Sequence, residues 1–109
     1  MSGHTKVHDL TPLQVKAGLE AGDILLIDVR EPDEFAAERI AGALNAPLST
    51  FNPQALPQGG AGRVVFQCAG GKRSAAAVDR CASLGGHDAH LAGGLAAWKA
   101  AGLPTIAGA

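Results

Sequence analysis

Two short apolar runs constrain the fold of this 109-residue chain more than any other feature of its sequence. Residues 24–27 read ILLI and residues 64–67 read VVFQ, with no alternation between apolar and polar side chains. Strands of this kind are typically buried on both faces, as in a parallel sheet that helices cover on both sides. The two runs therefore predict an α/β protein.

Helical segments are predicted between these strands. Thr11 is a capping residue, Pro12 occupies the first helical position and Gln14 follows three residues after the cap. A helix is therefore expected to run from there to about Ala21. Further helices are expected over 32–38, 74–84 and 95–101, a short one within the connection 51–62, and further strands over 43–46 and 88–91. This alternation predicts one domain over residues 1–109, with an open parallel sheet of about four or five strands and helices on both faces.

Composition and charge exclude several classes of protein. Hydrophobic residues make up 47% of the chain, which is typical of a globular protein, and a net charge of −1 argues against nucleic acid or an anionic membrane as a partner. No apolar run approaches the length of a membrane span, and residues 1–4 show no signal peptide. Two cysteines are too few for a disulfide scaffold, so a cytoplasmic location is expected.

The loop after the second strand is the feature that points to chemistry. Cys68 follows the strand directly, at the sheet edge where α/β proteins bind ligands, and a glycine-containing loop then leads to a helix beginning near Ser74. Loop amides and a helix N-terminus both attract anions, and Lys72 and Arg73 add two positive charges. We therefore expect the pKa of Cys68 to lie below the ~8.5 of a free cysteine. The combination predicts an activated nucleophile beside an anion-binding cradle.

The two cysteines receive different interpretations. Taken alone, Cys68 could be a small buried residue in a turn, but the basic, glycine-containing loop around it favours the catalytic role. Cys81 lies two turns into the following helix and is expected in the core. It could act as a resolving thiol only if its side chain faced Cys68.

The remaining polar clusters are given structural roles. The histidines form no ligand pair with the cysteines, so the sequence predicts no zinc site. They are expected at the surface or at strand ends, and one acidic cluster is expected only to begin a helix. These residues are His4, His8, His87 and His90, and Glu31, Asp33 and Glu34.

Four ordered motifs, spread over most of the chain, resemble the signatures of the rhodanese family. They are DVRE at 28–31 with EF at 34–35, IAGALNAP at 40–47, CAGGKRS at 68–74, and LAGG at 91–94 with AW at 97–98 and AGLP at 101–104. Arg39 stands where the family usually has a histidine, and Ala41 where it has a proline. We expect these two departures to change local packing rather than catalysis.

The resemblance implies an activity and a set of site residues. It implies a thiosulfate sulfurtransferase in which Cys68 carries sulfur as a persulfide. Sulfur would come from thiosulfate or a similar small anion and pass to cyanide or a thiol, such as glutathione or a small redox protein, without a metal or organic cofactor. Asp28 and Arg30 would brace the rim of the site, either as a mutual ion pair or through contact with substrate. The residues implied to hold the anion are Ala69, Gly70, Gly71, Lys72, Arg73 and Ser74.

Three other functions are alternatives to this one. Phosphatases and arsenate reductases of related fold resemble a Cys-x5-Arg pattern, whereas only four residues separate Cys68 from Arg73 here. This cradle is one residue short for a tetrahedral oxyanion, which makes that chemistry the less favoured. Non-enzymatic docking modules of the family usually lack the cysteine. A relay of sulfur from protein to protein stays open.

Overall fold

A computed structural model, which describes residues 7–56, 63–81 and 87–108, alternates strands with helices as the sequence predicts. The strands are β1 (His8–Leu10), β2 (Ile24–Asp28), β3 (Glu38–Arg39), β4 (Leu44–Asn45), β5 (Arg63–Gln67), β6 (Ala89–Leu91) and β7 (Ile106–Ala107). The helices are α1 (Pro12–Ala21), α2 (Pro32–Ala37), α3 (Lys72–Cys81) and α4 (Gly94–Ala100), with 3₁₀ turns at Leu48–Thr50 and Pro53–Ala55. Within those described ranges, no helix is both long enough and apolar enough to cross a membrane.

Five strands form one parallel sheet in the order β1-β6-β5-β2-β4. β5 lies at its centre, where Phe66 pairs with Ile27 of β2 on one side and with His90 of β6 on the other. Helix α3 packs on one face of the sheet, and α1 and α4 pack on the other. The predicted open parallel sheet with helices on both faces is confirmed.

Alternate residues of the central strand fill the two faces. Val64 and Phe66 pack toward α3, whereas Val65 packs toward α1 and α4 with Trp98. Phe66 and Val65 are both fully buried, and burying a side chain of this size stabilises a fold by about 1.5–3 kcal/mol. The alternation continues beyond the strand, so Cys68 falls on the face that α3 covers.

The predicted start of α1 is confirmed in atomic detail. The Thr11 hydroxyl accepts a hydrogen bond from the Gln14 amide at 3.1 Å, and the Thr11 amide donates to the Gln14 side chain at 2.9 Å. This reciprocal pair satisfies amides that have no partner inside the helix. Gly22 ends the helix in the left-handed conformation, with φ of +76°.

Several elements differ from the sequence-based expectation. Strand β1 adds an edge to the sheet, β3 and β7 form a separate antiparallel pair, and α3 begins at Lys72 rather than near Ser74. The paired segments are two or three residues long, which is too short for a hydrophobic period to reveal them. The end of the helix predicted over 74–84, the 57–62 part of the long connection and His4 lie outside the described residues.

Arg39, one of the two departures from the family pattern, has a packing role in the antiparallel pair. Its guanidinium lies 5.4 Å from the centre of the Phe35 ring and donates a hydrogen bond to the Gly108 carbonyl at 3.0 Å. Its backbone pairs with Ile106 of β7. The side chain therefore ties the last strand to the end of α2.

The order of the strands defines where a ligand site belongs. From β2 the chain continues to β4 on one side, whereas from β5 it continues through α3 to β6 on the other. Such a reversal leaves a crevice at the carboxyl ends of the two neighbouring strands, which is where open α/β sheets bind ligands. Here Cys68 follows β5, and Val29 and Arg30 follow β2.

Candidate active site

The sulfur of Cys68 sits at the base of the loop between β5 and α3. The residue is 1% exposed, and its Sγ accepts hydrogen bonds from the Gly71 amide at 3.1 Å and the Ser74 amide at 3.3 Å. The Gly70 amide is a further hydrogen-bond donor to Sγ. Gly71 has a φ of +105°, a conformation that a side chain would strain, and this turn aims successive amides at the sulfur. Of the loop expected to form the cradle, Gly70 and Gly71 direct their amides at the sulfur, together with Ser74 at the start of α3.

These hydrogen bonds decide the acid–base behaviour of Cys68. Burial alone would raise the pKa of the thiol. The Ser74 hydroxyl and the amides of Ser74, Gly71 and Gly70 outweigh that effect, so the pKa lies below its ordinary value. This is the direction that the sequence predicts, and it favours the nucleophilic thiolate.

Helix α4 holds the loop from the other side. Its first turn donates from the Leu95 amide to the Cys68 carbonyl at 2.8 Å and from the Ala96 amide to the Ala69 carbonyl at 3.0 Å. Gly94 permits this approach, because a Cβ placed there would lie 2.7 Å from the Ala69 carbonyl oxygen. Gly94 of the closing motif thus supports the loop around Cys68, a role that sequence spacing alone does not reveal.

The sequence predicts two unpaired positive charges in the loop, but one of the two basic side chains forms an ion pair. Arg73 donates to both carboxylate oxygens of Glu34, at 2.7 and 3.0 Å, whereas Lys72 is exposed. The Arg73 hydrogen bond lowers the pKa of Glu34 to about 2, and Glu34, followed by the Cys68 thiolate, raises the pKa of Arg73. The interpretation of the acidic cluster as only a helix start is therefore wrong for Glu34.

Asp28 and Arg30 form the mutual ion pair that was one of the two alternatives. Both are buried, and the guanidinium lies 2.7 Å from the carboxylate. Arg30 also donates to the carbonyls of Glu34 and Glu38, at 3.3 and 2.5 Å. The pair thus fixes α2, and α2 in turn carries the carboxylate that holds Arg73.

His90 is the site residue that sequence reasoning missed. It is 7% exposed and is the middle residue of β6, so the expectation of a position at the surface or at a strand end is wrong. Its Nδ1 lies 2.8 Å from the Ser74 hydroxyl oxygen. Its Nε2 lies 2.8 Å from a carboxylate oxygen of Asp9. The contact depends on β1, whose three residues carry no pattern that predicts an edge strand. His8, by contrast, is exposed as expected.

Two further points concern the second cysteine and metal binding. Cys81, on α3, is 1% exposed in the core, as the sequence predicts, and burial raises the pKa of its thiol. In the part of the chain that the structure describes, no group of three or more His, Cys, Asp or Glu side chains could hold a metal ion.

Comparison with known proteins adds a family to this geometry. The model of the rhodanese-like domain matches residues 11–101. The chain belongs to the rhodanese-like family. A crystal structure of a rhodanese-related protein from Thermoplasma volcanium aligns with a TM-score of 0.77 at 28% identity, covering 91% of this chain and 97% of that one.

Two curated relatives are similar to this chain over most of its length. An uncharacterized protein of Synechocystis is 46% identical over 84 residues, which are 76% of this chain and 47% of that protein. A protein of Allochromatium vinosum named Sulfurtransferase is 37% identical over 87 residues, covering 78% of this chain and 80% of its own length. The chain spans less than half the length of several of the curated relatives that it matches.

Proposed function

We propose that this rhodanese-like domain is a sulfurtransferase that takes sulfane sulfur from thiosulfate, or a similar small anion, as a persulfide on Cys68. The thiolate attacks the outer sulfur of thiosulfate, a new sulfur–sulfur bond forms, and the old one breaks so that sulfite leaves with the electron pair. Cyanide or an acceptor thiolate then attacks the outer sulfur of the persulfide. The electron pair of that bond returns to Cys68, and the cycle closes without another oxidant or reductant.

The observation that carries the proposal is the ring of donors around Sγ. Amides of Gly70, Gly71 and Ser74 converge on a sulfur that would otherwise be an ordinary buried thiol. Hydrogen bonds to a charged group are commonly worth about 1.5–3 kcal/mol each, so the set stabilises the thiolate before attack and again as it leaves. We expect the same amides to face the negative charge of thiosulfate when it binds.

The pairing of Arg73 with Glu34 affects which groups would bind the anionic sulfur donor. Because the carboxylate already offsets much of the guanidinium charge, the backbone supports anion binding more than the side chains do. Cys68 itself is 1% exposed, whereas the neighbouring loop residues Ala69 and Gly70 are exposed. The proposed route for a small anion, and then for a thiol such as glutathione or a cysteine of a small redox protein, is across these two residues.

The proposed setting is the cytoplasm. Two free cysteines, one of them activated, are compatible with a compartment that keeps thiols reduced. A reducing compartment also supplies the thiols that would accept the sulfur from the persulfide.

The test separates loading from discharge. Wild-type protein and Cys68→Ser are mixed with thiosulfate without an acceptor, and sulfite release and intact mass are followed; cyanide is then added and thiocyanate is measured. We expect one sulfite and one added sulfur per wild-type chain, then one thiocyanate, and none of these for the variant. A wild-type protein that gains no sulfur but hydrolyses an aryl phosphate would support the phosphatase chemistry instead.

A further inference from the structure

A line of hydrogen-bonding side chains runs from Cys68 to the protein surface. Sγ lies 3.6 Å from the hydroxyl oxygen of Ser74, which lies 2.8 Å from Nδ1 of His90. On the far side of the ring, Nε2 of His90 lies 2.8 Å from a carboxylate oxygen of Asp9. Ser74 and His90 are buried, whereas the Asp9 side chain is 69% exposed. The sulfur-transfer steps described above use neither His90 nor Asp9.

Sheet register brings these residues together from distant parts of the chain. Asp9 of β1 pairs with His90 of β6, which pairs in turn with Phe66 of β5. Paired residues of neighbouring strands direct their side chains to the same face, and Phe66 faces α3. The imidazole therefore lies beneath the first turn of α3, where it meets the hydroxyl of Ser74.

The hydrogen-bonding capacity of each group fixes the positions of the protons. An ionised carboxylate only accepts, so Nε2 of His90 carries the proton that it shares with Asp9. In the neutral ring, Nδ1 then accepts the single hydroxyl proton of Ser74. In the imidazolium, Nδ1–H instead donates to Ser74 Oγ, and the hydroxyl proton turns to another acceptor.

The second acceptor of the Ser74 hydroxyl proton connects this line of side chains to the reaction at Cys68. The Ser74 hydroxyl lies 3.1 Å from the Gly71 carbonyl oxygen and 3.6 Å from Sγ of Cys68. A thiolate carries a full negative charge, so it competes for the hydroxyl proton more strongly than a neutral carbonyl does. Protonation of His90 therefore leaves the hydroxyl proton of Ser74 free to be donated to the sulfur, which is the side-chain hydrogen bond that helps to lower the pKa of Cys68.

We propose that His90 and Asp9 are positioning residues that direct the Ser74 hydroxyl toward Cys68 when the imidazole is protonated. The inference rests on the proposed function, because it concerns the same sulfur. When an acceptor takes the outer sulfur, the electron pair of the breaking bond moves to Sγ, and a hydroxyl aimed there stabilises the leaving thiolate. Protonated His90 thus favours release of sulfur.

The charged groups around the His90 imidazole allow a test, because protonation of the ring should depend on the charge of Cys68. Among the described residues, Asp9 from β1 and Cys68 from the loop after β5 are the titratable members of the line, while α3 contributes the Ser74 hydroxyl. If the thiolate and the imidazolium stabilise each other through that hydroxyl, removal of the thiolate must make the imidazolium harder to form. This coupling is measurable without any sulfur transfer.

The experiment is a titration of the histidine ring nitrogens by NMR on the full chain, in the wild type, Cys68→Ser and Asp9→Asn. We expect the wild-type ring of His90 to carry its proton on Nε2 at high pH. Cys68→Ser should move the midpoint of His90 to lower pH by about half to one unit, and Asp9→Asn should also lower it. His8, exposed and 3.7 Å from Asp88, is the internal control and should not move in Cys68→Ser.

Each outcome decides a separate point. A neutral ring protonated on Nδ1, or a His90 midpoint that Cys68→Ser leaves unchanged relative to His8, would overturn the proposed line. If His90 titrates as expected while thiosulfate leaves no sulfur on the protein, the line stands and the proposed function fails. Asp9 lies at the surface, so the Asp9→Asn variant keeps the test available if a more buried substitution prevents folding.

Discussion

Cys68 and Cys81 share one environment and have opposite acid–base behaviour. Each is 1% exposed, and both belong to the apolar cluster between the sheet and α3. Burial raises the pKa of Cys81. At Cys68 burial acts in the same direction, but hydrogen bonds from Ser74, Gly71 and Gly70 outweigh it and lower the pKa. Activation of a cysteine here therefore depends on hydrogen-bond donors directed at the sulfur, the Ser74 hydroxyl and the backbone amides, and not on exposure.

The two cysteines also differ in their position relative to the start of α3. Cys68 faces the start of α3, where the first amides have no partner inside the helix and the dipole favours negative charge. Cys81 lies further along α3, away from these first amides. The stabilising effect of a helix start is confined to the first turn, so α3 favours a thiolate at Cys68 and not at Cys81.

The largest difference is expected between two variants that each lack one of the two thiols. Cys68→Ser should lower kcat/KM for sulfur transfer by at least about a thousandfold, because the nucleophile is lost while the shape of the loop is kept. Cys81→Ala should retain most of the activity, since its thiol only fills core space. Steady-state rates with thiosulfate and cyanide provide the measurement, and circular dichroism confirms the fold of both. An inactive but folded Cys81→Ala would replace this account with a two-cysteine mechanism.

A smaller effect should follow when the cradle is pushed away from the sulfur. Gly94→Ala places a methyl group against the Ala69 carbonyl, in a backbone with φ of +60°, so the loop must shift. We expect a stability loss of about 1–3 kcal/mol and a loading rate at least about tenfold lower. The pKa of Cys68, read from the pH dependence of its alkylation, should rise toward that of Cys81.

Gly102→Ala is the matched control for Gly94→Ala. Its φ is +77°, but a Cβ there meets no atom within 4 Å, so it carries backbone strain without a clash. It should lose stability while the pKa of Cys68 stays low. Equal alkylation profiles for the two variants would show that α4 does not support the cradle.

The smallest effect concerns the charge that Glu34 offsets. Glu34→Gln frees the Arg73 guanidinium from its partner and should raise kcat/KM for thiosulfate by about threefold, and Arg73→Ala should lower it by a similar factor, because the pair is partly exposed. Both changes should shrink as salt is added. Lys16→Ala, which removes an exposed lysine paired with Glu20 on α1, serves as the charge control. A tenfold or greater loss for Arg73→Ala would return the main role in anion binding to the side chain.

The sequence reveals those parts of the site that lie within one continuous segment. Cys68 and its amides are separated by six residues or fewer, so strand, loop and helix signals place them together. The caps of α1 and the buried strands follow equally from local pattern. The direction of the Cys68 pKa was predictable for the same reason.

The parts that the sequence does not reveal depend on contacts between distant segments. Arg73 finds Glu34 because α2 is anchored by the Asp28–Arg30 pair, and the spacing of these residues does not predict that contact. His90 and Asp9 meet through the register of an edge strand three residues long. Such partners are selected by tertiary packing, which overrides weak local signals.

The most direct measurement asks which of the two buried cysteines receives the sulfur. Wild-type protein is incubated with thiosulfate at neutral pH, its persulfides are trapped, and the peptides that contain Cys68 and Cys81 are compared by mass spectrometry. We predict one added sulfur on the Cys68 peptide and none on the Cys81 peptide. Sulfur on Cys81, or an unmodified Cys68 in a folded protein, would contradict the claim that loop amides turn one of two equally buried thiols into the sulfur carrier.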